Sequence, residues 1–462
     1  MIRRKAISSV IENRGFLNLW INQFLVQLSF NALNFALIIW VFQLTHSNTA
    51  VSALLFAIYL PAVIFGLFSG VLVDLIDRKK IILTIDILLS VCFFSLIFFK
   101  DSYLLLLFIT FIMNSLAQFY GPAEASAIPL IVEKKQLISA NSIFSATLHT
   151  CFLLGFGVAG PLIHEFGIDF IFRMGGGLLV IASILALFFP SIISKADKQG
   201  RQLAHAIKTL NYSDILKFGS SEISQTMDLI RGKLTVLSSI FILAGIQMVI
   251  GVLAVLMPGF METALHIKAI DASFVLVIPL GVGVVSGGLF LGRFGTSFMG
   301  QRLVRRIIVG RSIIFGGALF FLIGVAPILS PAIEYLPKTP LPFFTQPSFS
   351  AILVLGSFLM GIAMVSILVP TQTVLQENTP ESKRGKVFAS LGVVMAGLSL
   401  IPVFLAGILA DQFGVASIFV GLGAVIILIG LFGLWPSLFF SKDNLPYNVR
   451  EFLGLGHWKE KN

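Results

Sequence analysis

Three titratable side chains stand inside long apolar runs: Asp86 in "IILTIDILLS", Glu124 in "GPAEAS" and His149 in "SATLHTCFLL". A charge in hydrocarbon is costly, so such a group must find a partner or take part in proton uptake. Asp86, roughly two turns into its run, is the deepest carboxylate. There it can bind a proton before the surrounding site reorients; pairing with Arg78 or Lys79 is the other reading. Glu124 follows Pro122 and is expected at a kinked helix end near the mouth of its run, more a gate or loop contact than a proton site. His149 lies close to mid-run, where a side chain that titrates near neutrality can act as a proton switch or simply hydrogen-bond within the packing. The second half of the chain has no comparably deep acid, which places any proton relay mainly in the first.

Two further patterns carry chemistry. Gln23, Gln27, Asn31 and Asn34 recur at spacings of four, four and three, which puts them on one helix face. Such a stripe lines a central cavity or serves as hydrogen-bonding glue between helices. The stretch "GVLVDLIDRKK", from Gly70 to Lys80, packs two acids and three bases against the end of an apolar run. Gly66 and Gly70 are four apart, a spacing that lets a neighbouring backbone approach, and Asp74 falls one turn further, placed to accept hydrogen bonds from a neighbouring helix N-terminus. Cys92 and Cys151 lie within apolar runs and lack metal-ligand spacing, so they read as small core residues. There is no GxxxxGK[ST] phosphate loop, no HExxH and no GxSxG, which disfavours an ATP-driven pump and a membrane enzyme.

The elements that must position these residues follow from composition. The chain has 462 residues, 57% hydrophobic and 12% charged. A soluble domain carries about twice that share of charge. Runs long enough to span a bilayer begin near Phe16, Val51, Ile81, Tyr103, Ser139 and Asp169, then near Leu234, Ala272, Ile307, Phe349, Val387 and Val415. The expected fold is an all-α membrane protein of twelve transmembrane helices in two six-helix bundles, residues 16–190 and 234–438. An N-terminal segment (1–15), a polar central loop (191–233) and a tail (439–462) complete it. With the N-terminus in the cytoplasm, 28 of the 32 Lys and Arg fall on the cytoplasmic side, which also places the C-terminus there. The net charge of +10 therefore reads as membrane orientation; no basic groove interleaved with stacking aromatics points to nucleic acid. Equal halves that start on the same side imply a parallel internal repeat, and "GVLVDLIDRKKIIL" from Gly70 has a faint counterpart in "GLFLGRFGTSFMGQRLVRRIIV" from Gly288.

Gly70, Asp74, Arg78, Lys79 and Lys80 resemble the loop signature of the major facilitator superfamily. "FYGPAEASAIPLIVEKKQLISANS" from Phe119 and "LQENTPESKRGKVFASLGVV" from Leu375 are similar to its drug-, macrolide- and siderophore-exporting branch. The resemblance runs from about residue 14 to 438. It implies a two-bundle alternating-access transporter in which this cluster braces the cytoplasmic gate, although Leu75 stands where the family usually has Arg or Lys. "GFGVAGPLIHEFG" resembles the family's antiporter motif at Gly160 and Pro161, with His164 and Glu165 in place of the expected glycine pair. The implied function is a proton-coupled efflux antiporter for lipophilic or amphiphilic small molecules, multi-pass in the plasma or inner membrane. It would be monomeric and need no cofactor beyond the proton gradient. Competing readings are a lysophospholipid or polar-solute transporter and a transport-dead membrane sensor or scaffold, with the central loop around Leu203 to Leu216 as a partner site.

Overall fold

The computed structural model describes residues 10–73, 75–191, 234–264, 267–298, 302–334, 349–379 and 384–434. Asp74, the central loop beyond Ser191, the greater part of the Pro-rich loop at 330–348 and the tail lie outside the described residues. Among the described residues there is no strand, and twelve helices are long and apolar enough to cross a membrane. They are α1 (Arg14–Thr45), α2 (Asn48–Val73), α3 (Arg78–Phe99), α4 (Tyr103–Ile131), α5 (Leu137–Phe166) and α6 (Ile168–Leu187). The second set is α7 (Leu234–Gly259), α8 (Ile278–Phe298), α9 (Arg302–Glu334), α10 (Phe349–Asn378), α11 (Arg384–Phe413) and α12 (Val415–Leu434). A helix satisfies its backbone polar groups within itself, which is what an apolar run in hydrocarbon requires.

Contacts divide the chain into two compact units: Met1–Thr226 with Phe388–Phe404, and Met227–Val387 with Leu405–Asn462. In the first, α1 packs against α5 and α6, α2 against α4, and α3 along α6. In the second, α8 packs along α10 and α9 along α12. The repeat surfaces in atomic detail. A single glycine with positive φ joins α5 to α6 (Gly167, φ 75°) and α11 to α12 (Gly414, φ 81°). A side chain with a Cβ would be strained at either junction. A base near the start of the third helix of each set also caps the sixth: Lys79 Nζ donates to Leu187 O at 2.7 Å, and Arg306 Nη2 donates to Gly433 O at 2.7 Å. These carbonyls belong to the last turn, which has no intrahelical donors left for them. At the other end of the first pair, Lys100 Nζ meets Asp169 at 2.8 Å, so α3 and α6 are clasped at both ends.

The glycine spacing expected to bring backbones together works at one position and not at the other. A Cβ on Gly66 would meet Val393 Cγ2 at 2.7 Å, whereas nothing among the described residues lies within 4 Å of one on Gly70. The tightest crossing is elsewhere, in the second unit, where a Cβ on Gly361 would run into the Leu280 carbonyl and one on Gly283 into that of Phe358. Neither backbone can yield as a flexible side chain would. Gly361→Ala is therefore expected to lower stability by about 1–3 kcal/mol, read as a fall in thermal midpoint in detergent, while Gly356→Ala, which meets open space, leaves the midpoint unchanged.

Candidate functional site

Asn22, Asp86 and Glu124 each lie about two turns inside the end of their own helix, and α1, α3 and α4 bring these three ends to the same side of the first unit. Asn22 is wholly buried. Its Nδ2 donates to Asp86 Oδ2 at 2.7 Å and to the Ala182 carbonyl of α6 at 2.9 Å. Its Oδ1 accepts from the Tyr120 hydroxyl of α4 at 2.7 Å. The amide thus ties four helices together, and its three partners dictate which way round it sits. The Tyr120 oxygen lies 3.3 Å from Glu124 Oε1, one turn along the same helix. Two buried carboxyls are in this way linked through a phenol and an amide.

Neither Asp86 nor Glu124 forms an ion pair with a described residue, and Asp86 Oδ1 is buried with no hydrogen-bond partner among them. A buried carboxylate without a cation is expensive, and the inexpensive way to keep the group buried is to give it a proton. Around the cluster, Ser90 Oγ of α3 donates to Gly176 O at 3.0 Å, and Ser29 Oγ of α1 donates to its own-helix Leu25 O at 2.8 Å.

The site differs from the sequence expectation at several residues. Glu124 sits neither at a kinked helix end nor in a loop: α4 continues through Pro122 and Pro129 to Ile131, and the carboxyl is buried beside Tyr120. Asp86 takes its hydrogen bond from Asn22, not from Arg78 or Lys79. His149 is exposed, with Nδ1 against its own-helix Ser145 carbonyl at 2.7 Å. Of the polar stripe, Gln23 is buried with Nε2 3.4 Å from Phe144 O, Asn31 bonds back to Gln27 O, and Gln27, Asn31 and Asn34 are half-buried.

The three bases of the loop signature part ways. Arg78 is buried, its Nε donating to Ser126 Oγ at 3.3 Å; Lys79 caps α6; Lys80 is exposed. Asp77 caps α3, its Oδ1 accepting from Lys79 N at 3.0 Å. Gly160 is buried and Pro161 lies within an unbroken α5. Among the described residues no cluster of His, Cys, Asp and Glu is placed to hold a metal ion.

Asn22 and Tyr120, the two residues that join the carboxyls, escape a reading by spacing. Asn22 stands one position off the polar stripe, about 100° around the helix from Gln23. Tyr120 has a subtler signal: the chain has 45 Phe and 6 Tyr, and a buried phenol in a Phe-rich setting calls for a hydrogen-bond partner.

Comparison with known proteins agrees with this architecture. The Major Facilitator Superfamily matches the chain over residues 19–336. The chain is 25% identical over 421 residues to macrolide efflux protein A of Streptococcus pyogenes, covering 90% of this chain and 94% of that protein. It is 23% identical over 402 residues to the multidrug efflux pump Tap of Mycolicibacterium fortuitum, covering 84% and 88%. Among solved structures, a POT family transporter in complex with 5-aminolevulinic acid superposes with a TM-score of 0.67 at 12% identity, covering 93% of this chain and 97% of that one, a likeness of fold alone. With twelve apolar spans and this match across most of its length, the chain belongs to the Major Facilitator Superfamily and is a multi-pass membrane transporter.

Proposed function

We propose that the protein is a proton-coupled exporter of lipophilic or amphiphilic small molecules, of the drug or macrolide type, working by alternating access as a monomer with both termini in the cytoplasm. The observation that carries the coupling is the pair of buried carboxyls, Asp86 and Glu124, joined through Asn22 and Tyr120 and free of ion pairs with described residues. A carboxyl so placed can carry a proton as a neutral group and release it only when the site opens to water. The direction and class of cargo rest on likeness to the macrolide efflux protein and the multidrug pump. The half-buried amides of α1 offer neutral hydrogen-bonding groups to such a cargo. Gly70, Asp74, Arg78, Lys79 and Lys80 form the cytoplasmic gate segment in this reading, and Gly160 with Pro161 is its antiporter-like motif in α5.

Two experiments test it. In proteoliposomes loaded with a labelled macrolide or an amphiphilic dye, flux driven by an imposed proton gradient is expected to fall at least about tenfold in Asp86→Asn and in Glu124→Gln and to persist in His149→Gln. Equal flux with and without the gradient in the parent protein would rule the coupling out. The orientation is tested in intact cells with single cysteines placed in a background lacking Cys92 and Cys151. A cysteine at Lys80 is expected to resist a membrane-impermeant maleimide, and one at Asp101 to react with it; the reverse pattern would invert the topology.

A further inference from the structure

The hydrogen bonding around Tyr120 closes with Glu124 protonated and not with Glu124 ionised. Tyr120 has a single hydroxyl proton but faces two acceptors, Asn22 Oδ1 at 2.7 Å and Glu124 Oε1 at 3.3 Å. We propose that Tyr120 is a positioning residue that converts the protonation of Glu124 into the packing of α1, by giving its hydroxyl hydrogen to Asn22 when Glu124 is protonated and to Glu124 when it is not. This deepens the coupling proposed above and rests on it.

With Glu124 protonated, its O–H donates to the Tyr120 oxygen and the Tyr120 O–H donates to Asn22 Oδ1. Asn22 then has every group satisfied, with one N–H on Asp86 and the other on Ala182 O. α1 is tied to α3, α4 and α6 through one amide. When the Glu124 O–H bond breaks and the proton passes to water, the new carboxylate is the stronger acceptor for the phenol, because a charge-assisted hydrogen bond outweighs a neutral one. The hydroxyl turns toward Glu124, and Asn22 Oδ1 is left buried without its donor. That loss weakens the tie by about tenfold in population or more.

Few other charges bear on Glu124. From α3 they are Asp86, reached through Asn22, and Arg78, whose Nε bonds Ser126 two residues beyond Glu124; Lys79 is turned to the Leu187 carbonyl and Lys80 is exposed. α1 carries only Arg14, at the start that adjoins the Ile131 end of α4 and about two turns from Asn22, and α2 carries no ionisable acid or base apart from Tyr59. On α5, His149 is turned to its own helix, while His164 and Glu165 pair with each other at the opposite end. The side chains of α6 with charge, Asp169 and Arg173, are also at that opposite end.

The test uses the purified full-length protein. Its thermal midpoint in detergent is followed from mildly acidic to mildly alkaline pH, alongside gradient-driven macrolide flux in proteoliposomes. The parent protein is expected to lose stability as pH rises through the titration of Glu124. Tyr120→Phe is expected to flatten that dependence and to cut gradient-driven flux by about tenfold. Glu124→Gln, whose amide donates to the Tyr120 oxygen at every pH, is expected to hold the midpoint at its acid-side value. A Tyr120→Phe protein with the parental pH profile would overturn the role of Tyr120. Should that variant not fold, a parental pH profile in Glu124→Gln would do the same. A parent protein with the pH-dependent midpoint but no gradient-driven flux would leave the hydroxyl switch standing and overturn the proton-coupling reading beneath it.

Discussion

Two carboxyl groups buried in a low-dielectric bundle with no ion pair among described residues set the terms for the structure around them. Charged and unpaired, each would cost several kcal/mol, more than most single contacts in a protein return. The chain answers by converging hydrogen-bonding groups from four helices: Asn22 from α1, Asp86 from α3, Tyr120 and Glu124 from α4, and the Ala182 carbonyl from α6. Every one of these groups must arrive within hydrogen-bond reach, so the registers of four helices are specified together.

The clasps between α3 and α6 can be understood in that light. Asp86 lies between Lys79, which caps α6 at one end, and Lys100, which meets Asp169 at the other. The serine bond from Ser90 to Gly176 holds the middle. In the second unit Arg306 repeats the cap on α12, and Gly414 repeats the junction of Gly167, yet no buried carboxyl is found in the described part of α9. The scaffold is thus shared by both repeats, and the acidic chemistry is an addition to one of them.

Much of the scaffold was legible in the sequence because bilayer thickness dictates the length of apolar runs. The observed starts at Tyr103, Leu234, Phe349 and Val415 coincide with the starts of those runs. Six others begin two to five residues earlier, as where a polar cap such as Asn13 or Asp77 closes the first turn ahead of the apolar run, while α6 begins one residue earlier and α8 six residues later, behind the short turns at Ala269–Asp271 and Ser273–Val277. The site was less legible. Asp86 stands out as an acid among aliphatics, but its partner Asn22 belongs to no periodic pattern and is defined only by the neighbours it meets. Glu124 invited a mistaken placement because Pro122 reads as a helix breaker; in a packed span, neighbouring groups can absorb a proline without ending the helix. Gly70 shows the converse limit: a small residue permits close approach but does not require it.

In the proposed exchange, cargo leaves against protons carried on the Asp86 and Glu124 pair. That exchange is tested most directly by imposing a macrolide gradient across proteoliposomes at equal pH on both sides and following internal pH with an entrapped indicator. Proton movement opposite to the macrolide is expected in the parent protein and none in an Asp86→Asn, Glu124→Gln double variant. Macrolide movement in the parent protein with no accompanying change in internal pH would contradict it.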